Sequence, residues 1–128
     1  MSITALHVAA EVLQLFRQLS TDKLEKQDVP PNLVVVFAAV AANPGRSLKE
    51  LQDATGLGQA VMSRTCAMLG RGKPAAGING LGLVSTEEDP ENYSRKIVNL
   101  TPEGERLLEQ IDEQLGRFVR SRPGKAQQ

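Results

Sequence analysis

The chain has one cysteine and one histidine in 128 residues. A single thiol excludes an intrachain disulfide framework. His7, far from Cys66 in sequence, has no second imidazole with which to share a metal and no thiol to activate, and it reads as a partly exposed polar residue near a helix end. The carboxylates are spread over prospective helix surfaces, so no grouping suited to catalysis emerges. An enzyme is therefore the weakest of the function classes, and no cofactor or metal is expected. No apolar run approaches the length that crosses a membrane, and the amino terminus lacks the basic-then-apolar pattern of a signal peptide. A reducing, cytoplasmic setting is the expectation. Excess charge is absent as well: 15 basic and 15 acidic residues cancel. Any field able to attract nucleic acid must come from local segregation of charge.

What is present centres on Ser47 to Gly72. Ser47 followed by Glu50 predicts a capping box, with the serine oxygen on the third amide and the glutamate reaching back to the cap amide. Leu48, Leu51 and Ala54 recur at helical spacing, and Gly56 tolerates the positive φ that ends the helix and turns the chain. A second helix follows from Gly58, in which Met62, Thr65, Cys66 and Leu69 share an inward face. Gln59, Ala60, Ser63, Arg64 and Ala67 are left outside, a small polar surface of the kind that fits a major groove. Between Asp53 and Glu87 no acidic residue occurs, whereas Arg64, Arg71 and Lys73 do. The stretch predicts a helix-turn-helix.

Upstream, Ser2 is placed to cap a helix carrying Ile3, Leu6, Ala9 or Ala10, Leu13, Phe16 and Leu19, widened by Val12 and Leu15. That apolar face is broad enough to pack on a second such helix. The polar stretch Thr21 to Asp28 is expected to end it, and Pro30-Pro31 pre-sets the next helix. Leu33 to Ala42 is almost uniformly apolar and predicts a buried central helix, followed by a turn at Asn43-Pro44-Gly45-Arg46. Downstream, Gly70, Gly72 and Pro74 stop the second helix near Arg71. The glycine-rich stretch Lys73 to Gly82 reads as a loop and fails the phosphate-loop pattern, with Ala67 and Pro74 where glycine and a hydroxyl residue are required. Leu83 to Thr86 and Lys96 to Leu100 are two β-prone runs joined by EEDPENYSR, a wing. Thr101-Pro102-Glu103 starts a last helix, with Leu107 or Leu108, Ile111, Leu115 and Phe118 as its stripe. A disordered tail carrying Arg122 and Lys125 is expected after it. The fold class is mainly α with a small β-wing. Its segments are an N-terminal helix and linker over 1–29, a winged helix-turn-helix over 30–100, a C-terminal helix over 101–120 and the tail over 121–128.

With these elements in place the chain resembles the MarR family of winged-helix transcription regulators. The residues that carry the resemblance are Asn43-Pro44-Gly45, Ser47-Leu48 with Glu50-Leu51, Gly56-Leu57, Ser63-Arg64 with Leu69, Gly82-Leu83-Val84, Asp89-Pro90, and Val98, Leu100-Thr101 and Gly104. The resemblance implies a homodimer whose first and last helices interlock, through Leu6, Leu13, Phe16, Leu108, Ile111, Leu115 and Phe118. It also implies a double-stranded DNA operator of two-fold symmetry, a recognition helix over about 58–71 in the major groove, a wing over 83–100 near the minor groove, and most often repression. Its groove-facing positions fall on Gln59, Ala60, Val61, Ser63 and Arg64.

Two features depart from the family pattern. Tyr93 and Ser94 stand where a wing arginine is usual, which makes Arg95, followed by Lys96, the substitute candidate. The insertion Lys73 to Leu81 either lies along DNA through Arg71 and Lys73 or is a tolerated loop. Cys66 points inward, where a thiol is inert, and no polar cluster marks a pocket for a small-molecule effector. The rival class is a winged-helix module that engages a polymerase or replication partner instead of an operator.

Overall fold

A computed structural model describes residues 3–24 and 29–121, whose order is α1 (Ile3–Leu24), α2 (Pro31–Ala42), β1 (Arg46–Ser47), α3 (Leu48–Thr55), α4 (Gln59–Leu69), β2 (Gly72–Lys73), a 3-10 turn (Pro74–Ala76), β3 (Ile78–Asn79), β4 (Val84–Asp89), β5 (Asn92–Leu100) and α5 (Pro102–Ser121). The Ser2 cap, the end of the Thr21 to Asp28 stretch, the side chains of Leu115 and Phe118, and the tail beyond Ser121 lie outside the described residues. The architecture is a mainly α winged helix-turn-helix with a small antiparallel sheet, as the periodicity predicts.

The central helix is α2. Pro31 opens it, at a position where the missing N–H costs nothing. Leu33, Val36, Phe37 and Val40 are buried against Leu51 of α3 and Met62, Cys66 and Leu69 of α4. Each such aliphatic side chain contributes roughly 1.5–3 kcal/mol when removed from water. The expectation of a wholly buried helix is corrected at Val35, which is 44% exposed. An uninterrupted apolar run has no period from which an outward face can be chosen.

Helix α1 runs on through Thr21 and Asp22 to Leu24, further than its polar composition suggests. Phe16 is 0% exposed and meets Phe37 edge-on, with ring centroids 5.4 Å apart. This corrects its assignment to a dimer surface, because the ring is consumed by the core of the chain itself. Leu6 and Leu13 remain exposed, and Leu108 and Ile111 of α5 are half-buried against the core.

The wing is longer and tighter than a pair of short strands around a nine-residue loop. Strands β4 and β5 pair from Val84↔Leu100 to Glu88↔Lys96 and again at Asp89↔Asn92, with a register shift between Glu88 and Asp89, so Glu87, Glu88, Asp89 and Asn92 of EEDPENYSR belong to the ladder and Pro90-Glu91 turns the chain. A third strand joins at the base, where Arg46 and Ser47 pair with Val98 and Ile97. The expected turn at Arg46 is thus a strand, too short to show a period. At the far edge, the Thr101 hydroxyl donates to the Gly82 carbonyl at 2.6 Å and accepts the Gly104 N–H at 3.1 Å, capping α5.

The stretch after α4 is also ordered rather than a plain loop. Gly72-Lys73 pairs with Ile78-Asn79 as a small hairpin. The return strand closes onto the end of α4 through Leu81 N–H to Met68 O (2.9 Å), Gly82 N–H to Gly70 O (2.8 Å) and Leu83 N–H to Leu69 O (2.7 Å). The hairpin is an excursion that leaves and rejoins the fold at one place.

Candidate nucleic-acid interface

Helix α3 starts on the predicted capping box. The Ser47 Oγ accepts the Glu50 N–H at 3.1 Å, and Glu50 Oε1 accepts the Ser47 N–H at 2.8 Å. The helix stops at Gly56, whose φ of +78° is the left-handed conformation only glycine adopts cheaply. Thr55 secures the turn, with its hydroxyl donating to Leu51 O at 2.7 Å and accepting the Leu57 N–H at 3.3 Å. Two residues later α4 begins, capped by extended Gly58 without a side-chain hydrogen bond.

Met62, Thr65, Cys66 and Leu69 hold α4 to the core, as the stripe requires. The opposite surface presents Gln59, Ala60, Val61 and Arg64 as exposed residues, with Val61 at 43%, and Ser63 half-buried. These five are not all on one flank. Gln59 and Ser63 line a groove of about 700 Å³ shared with Lys49 of α3 and Ser94, Arg95 and Lys96 of β5. Arg64 lies on the other flank, beside Met68, Ile78 and Asn79, where α4 meets the hairpin and a cavity of about 100 Å³.

A second groove of about 770 Å³ continues the first toward the C-terminal end of α4. Its α4 wall is made of small residues, Ser63, Ala67 and Gly70, and its rim carries Arg71 and Lys73 opposite Glu87 and Lys96. From the sequence, Arg71 and Lys73 belong to the insertion and Lys96 to the wing; the fold brings all three around one trough. Lys23 was missed: its Nζ donates to Leu81 O at 3.0 Å and pins the return of the hairpin. Its only sequence signal was a place in a polar stretch.

Arg95 sits differently. Its Nη2 is 2.8 Å from Glu50 Oε1 and its Nε 3.5 Å from Asp89 Oδ2, so the guanidinium ties the wing to the start of α3. The Glu50 carboxyl is held below the ordinary carboxylate range, first by the Ser47 N–H, then by the Ser47 hydroxyl and the positive charges of Arg95 and Arg46. Burial pushes the Cys66 thiol up to about 11. Among the described residues no group of three or more His, Cys, Asp and Glu is placed to hold a metal, and no helix is long and apolar enough to cross a membrane. A cleft of about 470 Å³ between α1 and α5 is lined by Leu19, Lys23, Leu83, Glu103 and Arg106. Its walls come from three distant segments, which is why no local cluster announced it.

No protein-family model and no curated relative matches the chain. Solved structures do. The chain is similar to the PcaV transcriptional regulator from Streptomyces coelicolor in complex with its natural ligand (22% identity, 88% of this chain and 72% of that one, TM-score 0.56). It is similar to MarR (20% identity, 94% and 85%, TM-score 0.54) and to reduced AbfR bound to DNA (18% identity, 88% and 75%, TM-score 0.56). These likenesses establish the MarR-type winged-helix fold.

Proposed function

We propose that the chain is a MarR-type regulator of transcription that binds double-stranded DNA in a sequence-specific manner as a homodimer. The observation that carries this reading is the surface of α4: Gln59, Ala60, Val61 and Arg64 stand exposed on a helix held rigidly by its buried stripe. Such a face offers an amide for adenine, a guanidinium for guanine or phosphate, and a methyl-bearing side chain for thymine. Similarity of fold to the DNA-bound AbfR structure supports the reading. The dimer rests on the exposed apolar positions Leu6 and Leu13 of α1, 57% and 40% accessible, which a second copy would cover. A two-fold protein reads a two-fold site, and repression by occupying that operator is the regulatory outcome proposed.

One observation favours the rival reading of a protein-binding module. The wing carries Glu87, Glu88, Asp89 and Glu91, an acidic edge unsuited to approach phosphates. A salt titration of binding to a random duplex separates the two. Affinity that falls steeply as salt rises, followed by a protected footprint in the upstream region of its own gene, supports the regulator. Absence of binding even at low salt overturns it in favour of the module.

A further inference from the structure

Two basic regions flank the exposed face of α4, and their electrostatic states differ. On the wing, four carboxylates at positions 87, 88, 89 and 91 outnumber the cations Arg95 and Lys96, and Arg95 is already paired with Glu50 and Asp89. At the other end, Arg64, Arg71 and Lys73 occupy a stretch of sequence without one acidic residue, and the carboxylate that shares a groove with Arg71 and Lys73 is Glu87 of the wing. Among the described residues none of these three pairs with a carboxylate. Arg71 and Lys73 are exposed on the rim of the groove beside α4.

The backbone that carries them is built to stay in place. Gly72 has φ +82° and Gly80 packs so closely that a Cβ there would lie 2.2 Å from Gly70 O and 2.3 Å from the Arg71 carbonyl carbon. Ile78 is half-buried and Leu81 is fully buried behind the hairpin, and Lys23 clamps the Leu81 carbonyl. Cations on a fixed hairpin lose little backbone entropy when they meet a phosphate.

We propose that the hairpin spanning β2 and β3, rather than the tip of the wing, makes the flanking backbone contact on duplex DNA, with Arg71 and Lys73 each neutralising a phosphate beside the groove entered by α4. The wing tip stays off the phosphates, because its net negative charge is repelled. This inference rests on the DNA-binding reading above.

The test uses the full chain and a random 30-base-pair duplex followed by fluorescence anisotropy across a range of salt. Each phosphate neutralised contributes about 0.9 to the slope of log affinity against log salt. The double variant R71Q/K73Q should lower that slope by about two for each protomer bound, while Lys73→Arg in the wild-type background keeps it. The wing-tip variant E91Q/Y93A removes no cation, so it should leave the slope unchanged and should not weaken binding. Circular dichroism melts of both variants report that the fold is retained. Wild-type binding with an unaltered slope in R71Q/K73Q, or weakened binding in E91Q/Y93A, overturns the hairpin proposal alone. Failure of the wild type to bind any duplex at low salt overturns the regulator reading itself, and the hairpin proposal with it.

Discussion

Arg95 of the wing and Glu50 of α3 are joined at 2.8 Å, across 45 residues of sequence, by the same carboxylate that closes the capping box. One side chain therefore serves two elements. Glu50 fixes where α3 starts, and through Arg95 it fixes how the wing stands beside α4. Both side chains are about half exposed, so solvent screens the pair and its direct contribution to stability is small. Arg95→Gln should leave the melting temperature nearly unchanged and speed amide exchange along β5 around Asn92 to Ile97. Exchange as slow as in the wild type would show that the ladder alone holds the wing.

The pH dependence of this link has a definite sign. The Glu50 carboxyl is held low in the folded protein, chiefly by the Ser47 N–H. A group with a depressed folded value lends stability that is complete above the ordinary carboxylate range and is lost as pH falls through the lowered value. Denaturation curves on the acid side should thus show a loss that Glu50→Gln abolishes. Ser47→Ala should cost about 1 kcal/mol at neutral pH, the usual penalty for removing a serine cap. A Ser47→Ala variant as stable as the wild type would mean that the Glu50 half of the box suffices.

What was legible in the sequence is what depends on neighbours along the chain. The Ser47–Glu50 box, the Gly56 turn and the inward set Met62, Thr65, Cys66 and Leu69 follow from rules spanning three to seven residues, and all are present. Of the candidate interface, the exposure of Gln59, Ala60 and Arg64 follows from the same period. Partnerships between distant segments were not legible. Nothing near Arg95 announces Glu50, nothing near Arg46 announces its pairing with Val98, and nothing in a broad apolar α1 tells Phe16, which meets Phe37, from Leu13, which meets solvent. The hairpin escaped because its strands are two residues each and its anchors, Lys23 and the α4 carbonyls, lie outside it.

The contrast within α1 yields a paired prediction. Phe16→Ala removes a fully buried ring and its edge-on contact with Phe37, and should destabilise each protomer by about 3–5 kcal/mol. Leu13→Ser alters a side chain 40% exposed on the proposed dimer face. It should spare the protomer core and weaken self-association. Denaturation at several protein concentrations, with sedimentation of both variants, distinguishes them, since stability drawn from a second copy varies with concentration. Equal sedimentation of Leu13→Ser and wild type as dimers would remove Leu13 from the interface.

Cys66 should be a poor redox sensor. Its thiol is 5% exposed, lies 3.7 Å from the Met62 sulfur, and is pushed up to about 11 by burial. Because the reactive species is the thiolate, only about one molecule in a thousand carries it near pH 8. The folded value is raised, so the stability this group lends is full below the ordinary thiol range and is lost as pH rises through about 11. Labelling by a disulfide reagent should be far slower in the native protein than after denaturation. Equal rates in the two states would return Cys66 to consideration as a switch.

Gly80 tests whether the hairpin is a built element. A methyl group there would meet Gly70 O at 2.2 Å, the Arg71 carbonyl carbon at 2.3 Å and Gly72 N at 2.4 Å, all of them backbone atoms that cannot rotate aside. Gly80→Ala must therefore open the crossing, straining the Gly82 N–H to Gly70 O bond that seals the excursion, at a cost of about 1–3 kcal/mol. Gly77 supplies the control. It has φ +71° with nothing within 4 Å of a Cβ, so Gly77→Asn, which tolerates that conformation, should stay within about 0.5 kcal/mol of the wild type. Urea midpoints measure both. If Gly80→Ala unfolds at the same midpoint as Gly77→Asn, the crossing of the two backbones is not tight and the hairpin has no rigid base from which to hold Arg71 and Lys73.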